Sequence, residues 1–334
     1  KLRQDFGLDR VVMVGDRGMI GQAAIEQLRD VKGIAWITAL KSGQIRALVE
    51  GGTLQLGLFD EKNLFELAHA DYPGERLVAC RNPELGRLRA HTRQALLEAT
   101  TKELEKVRAR VVDGKLRGAG KIGVRVGRVV NRYKVAKHFD LDIEDRRFDF
   151  RVLEQEVAAE AALDGIYVIR TSLPKRQMSA ADAVRSYKSL SEVERAFRTM
   201  KTIDLKVRPI HHRKADRVRA HIFLCMLAYY VEWHMREAWR ERLFADEDLA
   251  AKATRDPVAP AQRSEAAEEK AATHTLDDGT PVHSFRTLLE DLSTIVRNTC
   301  RAPAASDDAP IFRVVTTPSD KQRRALNLLE AIAA

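Results

Sequence analysis

Tyr187, Glu194 and Lys201 recur every seven positions in the stretch YKSLSEVERAFRTMK, and their types could do chemistry. On a helix advancing about 100° per residue, such a series drifts by only about 20° per repeat, so the three share one ridge. Arg198, four residues past Glu194, joins that ridge. A carboxylate set among two cations and a phenol is suited to gripping metal and phosphate together. Val193, Ala196, Phe197 and Met200 are then expected to turn towards a core. The same residues also have a plainer reading. Ser191 followed three positions later by Glu194 is a capping box, in which the hydroxyl caps a helix and the glutamate reaches back to the cap's amide. If the helix starts there, Tyr187 lies outside it and the ridge shortens to Glu194, Arg198 and Lys201.

A second acid stands out by position. Val11 to Val14 is a short apolar run ending in Gly15-Asp16-Arg17-Gly18, followed by a helical rhythm over about 19–30 and a second strand over 34–40. Such runs read as strands buried on both faces. The strand–helix–strand unit puts Asp16 at the carboxyl end of a strand, where open α/β sheets place their ligands. The alternative is that Asp16 caps the helix that follows. Carboxylates from two separate elements can hold two hard cations about 3.5–4 Å apart around a phosphate. Magnesium suits that arrangement because it prefers oxygen ligands and keeps its own waters. Arg198 and Lys201 would steady a phosphate backbone beside the ions.

The remaining chain must position these groups. Strands are expected near 65–69 and 75–80, a long charged helix over 83–112, a glycine-rich stretch over 114–127, a second basic helix ending near His138, and a hairpin over 139–153. Gly118-Ala119-Gly120-Lys121 fails as a phosphate loop, because the first glycine is misplaced and Ile122 stands where Ser or Thr is needed. Asp140, Asp142, Glu144 and Asp145 lack the turn glycine of a calcium loop and read as exposed strand positions. The sheet is expected to resume over 165–173. Residues 205–210 read as extended around Pro209 and lead into His211-His212-Arg213. Adjacent histidines cannot face one ion from a helix, so phosphate contact or plain exposure is the reading there. Residues 217–243 read as a core helix, 245–279 as a mobile segment rich in Ala, Glu and Asp, and 285–298 as a helix. A short edge strand over 311–315 and a tail helix from Ser319 complete the pattern.

The 334 residues give ample chain for a large core, and 45% hydrophobic with 31% charged residues is the composition of a soluble globular protein. Cys80, Cys225 and Cys300 are far apart and form no CxxC pair, which points to a reducing compartment and away from structural zinc. The longest apolar run, Ile222 to Val231, is too short to span a bilayer. Residues 102–137 carry twelve lysines and arginines against Glu103, Glu105 and Asp113, a local excess equal to the whole chain's net charge of +9. Residues 185–219 hold a second excess, eleven basic against four acidic. Two such concentrations point to a polyanion, nucleic acid first.

VGDRGM at 14–19, DGIYVIRTS at 164–172, and YKSLSEVERAFRTMK at 187–201 followed by LKVRPIHHR at 205–213 resemble the bacterial insertion-sequence transposases of the DDE type. More narrowly they resemble the insertion sequence four-like group with its YREK signature of Tyr, Arg, Glu and Lys. Tyr187, Glu194 and Lys201 match that signature in type and spacing, while Leu190 replaces its arginine, a departure that passes the expected phosphate contact to Arg198. The resemblance implies an α/β fold: an RNase H-like core, incomplete because its first strands are missing, with a large mixed, partly β insertion domain. The expected division is 1–41 and 164–243 for the core, 42–163 for the insertion, and 244–334 for a mobile linker and C-terminal helical region. It implies Asp16 and Glu194 as catalytic metal ligands for two Mg2+ or Mn2+ ions. Tyr187, Arg198, Lys201, His212 and Arg213 would be DNA contacts. The implied reaction is phosphodiester hydrolysis and strand transfer at element ends, on double-stranded DNA, by a homodimer in a synaptic complex in the bacterial cytoplasm, nucleoid-associated and away from membranes. Neither Asp5 nor Asp9 has the surrounding chain to be the family's first aspartate. The reading is therefore a carboxy-terminal fragment, inactive alone. A non-catalytic DNA-binding remnant is the alternative, and an unrelated doubly wound hydrolase using Asp16 is a third.

Overall fold

The computed structural model describes residues 2–203, 205–260, 262–301 and 311–332. The chain divides into two compact units, residues 1–190 with 256–260, and residues 191–255 with 261–334.

The first unit is built on a sheet. A short helix α1 (Leu2–Asp5) precedes β1 (Val11–Val14), helix α2 (Gln22–Arg29) and β2 (Ile34–Ala39). β1 and β2 run parallel, with Val11 opposite Ile34 and Val14 opposite Ile37, as the expected strand–helix–strand unit requires. Helix α3 (Ser42–Glu50) leads to β3 (Leu64–Leu67) and β4 (Arg76–Arg81), an antiparallel pair turning at Tyr72-Pro73-Gly74. Then follow α4 (Pro83–Val112), α5 (Ala119–Tyr133), the hairpin β5 (Phe139–Ile143) and β6 (Phe148–Val152), α6 (Glu154–Ala161), β7 (Ile166–Thr171) and α7 (Ala180–Lys188). The main sheet has the order β1-β2-β7-β4-β3, and β7 is antiparallel to both of its neighbours.

Period-two alternation divides the core along the sheet. Leu77, Ala79 and Val168 pack on one side with Leu40, Ile45 and Leu48, while Val78, Cys80 and Ile169 pack on the other with Ile37, Ala180 and Val184. Residues 42–163 are expected to lie outside the sheet, yet β3 and β4 fall in that span and belong to it. Their apolar faces are too continuous to be left on a surface. The outlying part is α4 to α6 with the β5–β6 hairpin, and it has its own core of Leu97, Leu104, Val107, Ile122, Val126, Val130, Phe139 and Phe148. It is mainly helical. The glycine-rich stretch becomes helix from Ala119 because Gly118, at φ +90°, turns the chain, after which Ile122, Val126 and Val130 supply a helical apolar stripe.

A buried ion pair locks the sheet's centre. Glu75, its side chain fully enclosed, accepts from Arg170 Nε at 2.6 Å and Nη2 at 2.5 Å, and from Trp36 Nε1 at 3.2 Å. Arg29 of α2 comes to 3.5 Å of the same carboxylate, and Arg170 Nη1 donates to Gln22 Oε1 at 3.2 Å.

The second unit is helical. It comprises α8 (Leu190–Arg198), which starts at the boundary, a π turn over Thr199–Ile203, α9 (Ala215–Ala238), α10 (Leu249–Thr254), α11 (Glu265–Thr273) and α12 (Phe285–Leu292). The strands β8 (Arg297–Cys300) and β9 (Phe312–Val315) pair antiparallel, and α13 (Asp320–Glu330) follows. Trp239, Leu243, Leu288 and Ala325 form its core, with Trp239 Nε1 donating to the Ala325 carbonyl at 2.8 Å. Two expectations fail here. The segment expected to be mobile, 245–279, holds α10 and α11, capped by the side chains of Asp248 and Ser264. The helix expected to fill a core, α9, leaves its apolar middle open: Phe223 is 63% exposed, Leu224 61% and Tyr230 61%, while Glu232 is the buried residue. Among the described residues, no helix is long and apolar enough to cross a membrane.

Candidate nucleic-acid and metal site

Asp16 lies one residue beyond Gly15, whose amide donates to the Ile37 carbonyl at 3.1 Å and so extends the β1–β2 ladder. The close turn needs a glycine at 15, because a Cβ there would come within 2.8 Å of the Ile20 side chain, itself buried. Asp16 Oδ1 accepts from the Gly18 amide at 2.8 Å and the Met19 amide at 2.7 Å. It therefore closes its own turn rather than capping α2, which begins at Gln22 after Gly21. The other oxygen, Oδ2, has no partner among the described residues, and the side chain is exposed. The turn thus holds the carboxyl in one orientation while leaving a lone-pair face for a ligand.

Tyr187, Glu194 and Lys201 do not share one helix. The helix breaks at Ser189, which ends α7, so Tyr187 lies on α7, Glu194 on α8 and Lys201 in the π turn. Ser191 is inside α8, so the capping box does not form either. Tyr187 is half-buried against Ile37, Val78, Ile169 and Val184. Glu194 is exposed. Val193 and Phe197, expected in a core, are each half exposed. Instead Glu192, Arg195 and Thr199 turn to the α9 side, where with Tyr229, Glu232 and Trp233 they line a hollow of about 650 Å3. Arg198 is exposed on α8.

Lys201 places its Nζ 5.2 Å over the Phe197 ring. It also lines an open hollow of about 770 Å3 with Lys206, Arg208, Pro209 and Ile210. The loop carrying these cations is fastened at two points. Val207 donates its amide to the Met200 carbonyl at 2.8 Å, and the His221 ring meets the Val207 carbonyl at 3.1 Å. Lys206 and Arg208 are candidate phosphate contacts that residue types alone did not single out; the signal was their spacing from Lys201, with no acid between Lys206 and Arg208. His212 packs edge-on to His221 with ring centres 5.7 Å apart, and Arg213 is exposed beside it.

Asp16 belongs to the first unit and Glu194 to the second. Each offers hard carboxylate oxygens of the kind magnesium takes. Among the described residues, however, no group of three or more His, Cys, Asp or Glu stands close enough to hold a metal ion.

No curated protein and no solved structure matches the chain. A family model described as the transposase DDE domain matches residues 1–231, a span that holds the β1 turn with Asp16, the main sheet, α8 with Glu194 and the Lys201 loop. By that match, which covers more than half its length, the chain belongs to the transposase DDE domain family.

Proposed function

We propose that this chain is the nucleic-acid-engaging part of an insertion-sequence transposase of the insertion sequence four-like, YREK-signature group, with an RNase H-like core. Its substrate is duplex DNA at element ends, and two copies would hold two ends together. The observation that carries the reading is the turn at Asp16: a carboxyl fixed by two amides at the end of a parallel strand, with one oxygen left for a ligand. Asp16 and Glu194 would each offer a carboxylate to divalent metal, Mg2+ or Mn2+. Such an ion supplies charge stabilisation to the phosphate and a more acidic bound water. Arg198, Lys201, His212 and Arg213, joined by Lys206 and Arg208, would bind and orient the DNA backbone through phosphate contacts. Tyr187 acts by fixing the end of α7 through its packing.

Binding of Mn2+ to the chain, read by the loss of its free-ion paramagnetic signal, tests the ligand assignment. Asp16→Asn and Glu194→Gln are each expected to weaken it about tenfold or more. Unchanged binding in both variants refutes the assignment. Among the described residues no group of three carboxylates or other ligating side chains stands together to hold an ion, so the chain is expected to bind DNA without cleaving it. Mg2+- or Mn2+-dependent strand cleavage that disappears in Glu194→Gln would overturn that expectation. A chain with no salt-dependent affinity for duplex DNA would return the reading to a hydrolase built around Asp16.

A further inference from the structure

A cleft between α4 and α5, in the first unit and apart from Asp16, is lined by Lys106, Arg110, Arg125, Arg128 and Arg132, with Glu103, Val107, Val129 and Tyr133. Its volume is about 370 Å3. Five cations meet one acid there, and that acid is already taken: Lys106 Nζ lies 2.5 Å from Glu103. The Glu103 carboxyl is held below its ordinary range by that hydrogen bond, helped by the charges of Arg132 and Lys102. Arg110, Arg125 and Arg128 have no hydrogen bond or ion pair from their side chains among the described residues. Arg132 stands 5.4 Å over the Tyr133 ring.

The helix arithmetic makes this a row rather than a scatter. Ile122, Val126 and Val130 face the local core. Lys121, Arg125, Arg128 and Arg132, at steps of four, three and four, then fall on one exposed stripe. Like charges at such spacings repel each other by about 0.2–0.5 kcal/mol per pair. The second basic row, Lys106 and Arg110 on α4, faces the same cleft and adds to that repulsion. Elsewhere on α4, Arg93 and Arg108 are matched with carboxylates, Arg93 with Asp164 and Arg108 with Glu105 and Asp149. The cleft thus brings unmatched cations of two helices to one trough, which focuses field lines into it.

We propose that the α4–α5 cleft is a second nucleic-acid contact, taking the phosphodiester backbone of duplex DNA without reading its bases. Guanidinium groups grip phosphate oxygens two at a time, and a row of cations along a trough suits the repeating charge of a backbone. An arginine can also read guanine, so an equal loss on two duplexes of unrelated sequence is what separates the two. The proposal rests on the transposase reading, because it takes DNA as the ligand.

The test measures binding of two duplexes of unrelated sequence to the whole chain across 50–300 mM salt. One variant carries Arg110→Gln, Arg125→Gln, Arg128→Gln and Arg132→Gln. A control removes the same charge from exposed positions away from the cleft, with Lys62→Gln, Arg87→Gln, Lys175→Gln and Arg176→Gln. All eight side chains are exposed or solvent-facing, so both variants are expected to melt within a few degrees of the parent. If each arginine meets a phosphate, the slope of log affinity against log salt flattens by about 3.6, at about 0.9 per contact. The cleft variant shows that loss equally on both duplexes, and the control does not. An unchanged slope in the cleft variant, or an equal change in the control, overturns the cleft assignment and leaves the transposase reading intact. No binding by the parent chain overturns both. Titration with inorganic tripolyphosphate separates a small-anion site. If tripolyphosphate binding depends on the four arginines and duplex binding does not, the DNA assignment fails.

Discussion

Replacing Arg170 by Met removes half of the ion pair at the sheet's centre while keeping most of its volume. The Glu75 side chain is 0% exposed and that of Arg170 4%, so neither charge is repaid by water. Without Arg170, the Glu75 carboxylate keeps only Trp36 Nε1 at 3.2 Å and the distant Arg29 at 3.5 Å. Breaking such a pair from one side costs about 3–5 kcal/mol, because a buried charge is left uncompensated. Gln22 also loses its donor and Tyr72 the guanidinium 4.8 Å over its ring. Glu75→Gln should cost a similar amount by stranding Arg170. The double variant Glu75→Leu with Arg170→Met should stand within about 1–2 kcal/mol of the parent, since replacing a whole buried pair by apolar groups is often neutral. The assay uses Cys80, which is fully enclosed on β4 and whose thiol burial pushes up to about 12. In a Cys225→Ser, Cys300→Ser background, alkylation of Cys80 reports opening of the first unit alone. A loss of 3–5 kcal/mol speeds it by roughly two to three and a half powers of ten, at about 1.4 kcal/mol per power. If Arg170→Met changes the rate less than about fivefold, or if the double variant is as fast as the two single effects multiplied, the pair is not coupled and the reasoning fails.

Gly165 precedes β7 at φ +76°, and a Cβ there would lie 2.3 Å from the Asn82 carbonyl oxygen. Gly165→Ala is therefore expected to cost at least about 2–3 kcal/mol in urea unfolding of the first unit, and a cost below about 1 would contradict the clash. His283 is held below its usual imidazole value by burial and by the Arg242 charge. Its folded value is the lower one, so its contribution to stability is present above about pH 6.5 and is lost as pH falls through the folded value. Melting of the second unit should drop between pH 7 and 5, and His283→Gln should flatten that drop; an unchanged profile would refute it. Asp278 sits at about 2 because Thr280 donates to its carboxylate, with Arg324 adding to the effect. Asp278→Asn should leave melting unchanged at pH 1.5 and lower it above pH 4, and an equal effect at both would argue against the bond.

The parallel β1–β2 pair, the resumption of the sheet at β7 and the β5–β6 hairpin were all legible, because each announces itself in local apolar runs and turn residues. The burial of β1 on both faces was not borne out, since it is an edge strand with Val12 39% and Met13 41% exposed. The sheet membership of β3 and β4 was not, since which strand neighbours which depends on β7, about ninety residues further on. The seven-residue spacing of Tyr187, Glu194 and Lys201 suggests a single helix, and the spacing is real. It cannot show that Ser189 ends α7 or that the chain widens into a π turn after Arg198. Asp16 at a strand end was legible from Val11 to Gly18 alone. Its Asx-type turn shows only in the fold, where the Gly18 and Met19 amides donate to the carboxylate, because those residues look no different in sequence from a helix start. The apolar run in α9 misled for the reverse reason: composition predicts a wish for burial, not the presence of a neighbour.

The turn bearing Asp16 is tied down on both sides. Before it, Gly15 is bonded to β2; after it, Gln22 and Arg29 of α2 reach the Arg170–Glu75 pair. A loop pinned in this way has little freedom left to lose when something charged arrives, so on the proposed reading cation affinity at Asp16 should respond to changes as remote as Glu75. The sheet's interior electrostatics would then act as a mounting whose stiffness sets how sharply the exposed oxygen is aimed.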